Sequence, residues 1–66
     1  GKVGDFSAEL LQYIKSQGGH TPLNDKSAAE DIYDTFGVSK KTFKKAVGDL
    51  YKKRLIVLVE DGIQLA

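Results

Sequence analysis

The 66-residue chain has no cysteine, one histidine and one proline. Without cysteine there is no disulfide staple and no thiolate metal site, so the fold must be held by packing alone. His20 by itself cannot build a histidine-based metal cluster. No apolar run approaches the roughly 18–20 residues that a membrane span requires, and no signal-peptide pattern opens the sequence. Asp25, Glu30, Asp31 and Asp34 lack metal-ligand spacing, and the glycine and terminal glutamate of a calcium loop are missing. No pair of acids stands beside a nucleophile, so the residues suggest no catalysis. These absences point away from an enzyme and imply no metal, no other cofactor and no membrane partner. The missing disulfides fit a cytoplasmic protein. The first residue is Gly1, which suggests a segment of a longer chain.

What is present is enough for one small core. The hydrophobic fraction is 41%, with three phenylalanines and three tyrosines, near the lower limit of length at which a chain buries a core of its own. The net charge of +1 conceals an uneven distribution. Residues 40–54 hold seven basic groups and one acid, a local charge of +6, and the remainder of the chain carries −5. One basic element is set in an otherwise acidic molecule.

Hydrophobic spacing gives the order of elements. Ser7 is a candidate N-cap after a short lead-in over residues 1–6, with Glu9 in the first turn. Leu10, Leu11 and Ile14 recur at helical spacing until Gly18-Gly19. Residues 20–23 form a brief extended piece, limited to an edge by Pro22. Ser27 and Glu30 have capping-box spacing and open a second helix with Ala29, Ile32, Tyr33 and Phe36 on one face. Gly37 ends it, Val38 can enter the core, and Ser39 caps a third helix from about Lys40 to Lys53. Phe43, Ala46, Val47 and Leu50 form the buried stripe of that helix. The apolar run LIVLVE, the DG turn signal and the alternating IQLA then predict a hairpin. Tyr13, Tyr33 and Tyr51 are expected at core edges, with their hydroxyls at water. This order predicts an α+β fold over residues 1–66, a single winged helix-turn-helix domain. It combines three helices with a small three-stranded antiparallel sheet, the first strand joining the hairpin.

Residues 20–65 resemble the C-terminal winged-helix segment of conserved-virulence-factor-B-type bacterial proteins. The resemblance rests on LNDKS at 23–27, SKKTFKKA at 39–46, LYKKRLI at 50–56 and DGI at 61–63. It implies a cytoplasmic, RNA-binding bacterial parent chain with several S1-type domains ahead of this one.

Measured around the third helix from Phe43, Lys44, Lys41, Lys52 and Lys45 fall between roughly 100° and 200°, with Gly48 among them at roughly 140°. A mid-helix glycine costs up to about 1 kcal/mol relative to alanine. Two explanations fit: a phosphate or ribose approaching the backbone, or close packing against a neighbouring helix. The face carries no arginine, asparagine or glutamine to read base edges, so contact through backbone phosphates is expected. Lys53 and Arg54 are assigned to the helix end, where cations complement the dipole. The wing tip, Glu60-Asp61-Gly62, is acidic and argues against gripping duplex DNA. The expected function is non-enzymatic binding of nucleic acid, RNA over DNA, through Lys41, Lys44, Lys45, Gly48 and Lys52. The alternative is a protein-interaction or domain-orienting module beside the S1 domains.

Overall fold

The computed structural model describes residues 6–66. Three helices, α1 (Phe6–Ser16), α2 (Ala29–Phe36) and α3 (Lys40–Lys52), combine with three short strands, β1 (His20–Thr21), β2 (Ile56–Val59) and β3 (Gly62–Leu65). The strands form one antiparallel sheet in the order β1-β3-β2. This is the winged-helix arrangement that the order of elements predicts.

The core takes residues from every helix and from the hairpin: Phe6, Leu10 and Ile14 of α1, Ile32 of α2, Phe43, Ala46, Val47 and Leu50 of α3, Ile56 and Ile63. Phe36 lies at the meeting point of the three helices. Its ring is edge-on to Phe6 and Tyr13, with centroids 5.4 and 4.9 Å away, and stacked on Phe43 at 5.4 Å.

Two expected caps are corrected. Ser7 does not cap α1, because the helix already includes Phe6. Phe6 is therefore core, 7% exposed, and not part of a lead-in; residues 1–5 of that lead-in lie outside the described residues. The Ser27–Glu30 capping box does not form either. Ala28 occupies the N-cap position of α2 without a side-chain bond. The Ser27 hydroxyl instead accepts the Asn24 N–H at 2.9 Å, while Asn24 Oδ1 accepts the Lys26 N–H at 2.8 Å. Local turn bonds have taken the hydroxyl that a cap would have used.

The tyrosines also depart from expectation. Tyr13 is half-buried against Phe36, but Tyr33 and Tyr51 are 63% and 54% exposed. The short α2 meets the body through Ile32 and Phe36, four residues apart. Tyr33 lies roughly 100° round from Ile32 and so faces solvent, as does Ala29.

Helix endings follow a common plan with one exception. In α1 the Gly19 N–H donates to the Ile14 carbonyl at 2.9 Å and the Gly18 N–H to Lys15 at 3.2 Å, with Gly18 left-handed at φ 81°. This is a Schellman ending. In α2, Gly37 is left-handed and its N–H reaches the Tyr33 carbonyl. The α3 ending repeats the α1 pattern, with Leu55 N–H to Leu50 O and Arg54 N–H to Tyr51 O, both 3.0 Å. Here the left-handed position is held by Arg54, at φ 61°.

In the wing, Val59 pairs with Gly62, so Glu60-Asp61 form the turn and Gly62 opens β3. Gly62 has φ 148°, and a Cβ there would overlap the Thr21 carbonyl oxygen and stand 2.8 Å from Pro22 Cα. The backbone of β3 thus passes directly against the end of β1, where a side chain has no room. His20 pairs with Gln64 across the same edge, and its Nε2 stands 3.5 Å from Asp61 Oδ1. Gly62→Ala should destabilise the domain by about 2–3 kcal/mol, combining backbone strain with displacement of β1. Urea unfolding would measure this, and loss of the β1–β3 amide protection should accompany it.

Candidate nucleic-acid interface

The third helix is fixed at its start by Ser39, whose hydroxyl oxygen accepts the Thr42 N–H at 3.2 Å. Burial of Phe43, Ala46, Val47 and Leu50 then sets the rotation of α3. With that stripe inward, Lys41, Lys44, Lys45, Gly48 and Lys52 are all exposed. The five predicted site residues therefore share the solvent side of one helix. Among the described residues the ion pairs are Lys53–Asp49 and His20–Asp61, and none of these four lysines takes part in one.

One of the two explanations for Gly48 can be dropped. A Cβ at this position would meet nothing within 4 Å. Close packing against a neighbouring helix is excluded as the reason for glycine, and the helix backbone is open to solvent between the lysines.

Lys53 belongs to a different arrangement. Its Nζ lies 3.2 Å from Asp49 Oδ2, one helical turn back. The hydrogen bond from Lys53 holds the Asp49 carboxyl below the ordinary aspartate range against the opposing effect of desolvation, helped by a hydrogen bond from Ser7 and the charges of Lys53 and Lys52. Ser7, displaced from the capping role, thus ties the start of α1 to α3.

A feature that residue spacing did not reveal lies at the end of α3. Tyr51, Lys52 and Arg54 face Ile56, Val57 and Ala66 across an open groove of about 490 Å³. Its signal in the sequence was small: YKKRL carries no glycine where the first two helices end in one. A second groove, of about 270 Å³, is lined by Asn24, Asp25, Lys26, Leu58, Val59, Glu60 and Gly62. Lys26 therefore sits with the acids of the wing and not with the α3 lysines.

Comparison with known proteins places the chain in a family. The sequence model of the CvfB-like winged helix domain matches residues 8–65. The chain belongs to that family. It is 33% identical over 64 residues to conserved virulence factor B of Staphylococcus saprophyticus, and 34% identical to that of Staphylococcus aureus strain USA300. Each match covers 97% of this chain and 21% of the relative. A crystal structure of a Streptococcus pneumoniae multidomain protein with nucleic acid binding domains superimposes with a TM-score of 0.88 at 45% identity. That match covers 91% of this chain and 21% of the other. The chain thus spans about one fifth of the length of these relatives.

No helix among the described residues is long and apolar enough to cross a membrane, and no group of three or more His, Cys, Asp or Glu side chains there could hold a metal ion.

Two predictions concern this helix. Gly48→Ala should raise stability by about 0.5–1 kcal/mol in urea unfolding, since the added methyl meets no obstacle and alanine favours the helix. Asp49 has a folded pKa below its unfolded one. Its contribution is therefore complete above the unfolded value, about 3.9, and is lost as pH falls through the lowered folded value. Asp49→Asn should flatten the acid limb of the stability–pH curve while leaving its slope near neutrality unchanged.

Proposed function

We propose that this domain binds nucleic acid without catalysis, RNA in preference to DNA, through phosphates held by Lys41, Lys44, Lys45 and Lys52. The observation that carries this reading is four exposed lysines, none of them in an ion pair among the described residues, around an unobstructed glycine on one helix. Each lysine is a point charge suited to phosphate. At Gly48 the missing side chain leaves a ribose or phosphate free to reach the helix surface. Base-edge readers are missing from this arc, so sequence preference should be weak. The acidic wing turn, Glu60-Asp61, disfavours a duplex that would place a second phosphate strand against it. The nucleic acid binding domains ascribed to the S. pneumoniae protein support the nucleic-acid part of this reading. In its parent chain the domain would act in the cytoplasm beside S1-type domains, sharing one RNA with them.

A second reading, a docking or domain-orienting module, is favoured by the sheet edge. β2 is an outer strand, and its Leu58 is 49% exposed.

An NMR titration with RNA at two salt concentrations separates the readings. Amide shifts should cluster on residues 41–52, and log affinity should fall with log salt at a slope of about −3 to −4 for four contacts. The combined substitutions Lys41→Gln, Lys44→Gln, Lys45→Gln and Lys52→Gln should abolish the shifts and leave the fold intact. No shifts on α3 at millimolar RNA would favour docking.

A further inference from the structure

The groove at the end of α3 differs from the lysine face in chemistry, and three observations bear on its occupant. Tyr51 is half exposed and takes no part in the aromatic contacts among Phe6, Tyr13, Phe36 and Phe43. The groove combines the apolar surfaces of Ile56, Val57 and Ala66 with two cations, Lys52 and Arg54, and no acid lines it. By contrast, the groove beside the wing includes Asp25 and Glu60, which would repel a phosphate chain. Arg54 also holds a left-handed backbone position that Gly18 and Gly37 fill in the other helices. A non-glycine residue there gives up stability, yet it places a guanidinium at the groove.

We propose that this groove seats one unpaired nucleobase of a single-stranded RNA, stacked on the Tyr51 ring, with Lys52 and Arg54 holding the flanking phosphates. The inference rests on the phosphate-binding reading of α3 and extends it to the class of strand. Lys52 belongs to both surfaces, so a strand following the lysines is delivered to the groove. Every base has a π-face, and stacking therefore adds affinity without demanding a sequence. A duplex keeps its bases stacked between neighbours and cannot offer one to Tyr51. Single strands should bind in preference to duplexes.

The test compares an unstructured octaribonucleotide with an abasic sugar–phosphate octamer of the same length and charge. Binding to the 66-residue chain is followed by fluorescence anisotropy and by the Tyr51 ring protons in NMR spectra. The base-bearing octamer should bind roughly 5- to 150-fold more tightly than the abasic one, with the ring protons shifted by the stacked base. Tyr51→Ala should bring the two octamers to the same affinity without changing the salt slope, and Tyr51→Phe should retain the difference. Equal affinities in the unmodified chain, or a difference that survives in Tyr51→Ala, would overturn the stacking site and leave the lysine reading standing. Failure of both octamers to bind would remove both readings.

Discussion

The contact on which the domain depends is the ring of Phe36. It is the last residue of α2, and it touches Phe6 and Tyr13 of α1 and Phe43 of α3. Aromatic pairs of this kind contribute about 0.5–1.5 kcal/mol each beyond the area they bury. A domain of this size has only about 3–5 kcal/mol from its core, so one cluster supplies a large share. It also has a directional effect. By stacking on Phe43 it adds to the burial of Phe43, Ala46, Val47 and Leu50 that fixes the rotation of α3 and turns the lysines outward.

Much of this arrangement was legible in the sequence because helical periodicity depends on many residues at once. The stripe Phe43, Ala46, Val47, Leu50 is buried as expected, and the phase of the basic face follows from it. Single-residue signals were less secure. Ser27 had the spacing of a capping box, but Asn24 offered it a nearer bond. Tyr33 satisfied a helical face that the eight-residue α2 buries only in part. Whether Gly48 was packed or open depended on which element crosses α3, a tertiary fact absent from local spacing. The groove beside Tyr51 was equally hidden, because half of its wall comes from β2 and the last residue of the chain.

Two positions at this end of the molecule run against local preference. Gly48 interrupts a helix where alanine would fit, and Arg54 occupies a glycine conformation. Other positions follow ordinary rules: glycines close α1 and α2, Ser39 caps α3, and Gly62 stands where no side chain could.

The division of charge has a consequence at a distance. The exposed acids of α2, Glu30, Asp31 and Asp34, and the exposed lysines of α3 give the domain a permanent electric moment despite a net charge near zero. Within about 8 Å, the screening distance at physiological ionic strength, a polyanion exerts a torque on such a particle. The approaching domain would be turned α3-first before any side chain makes contact, so fewer encounters are spent in unproductive orientations.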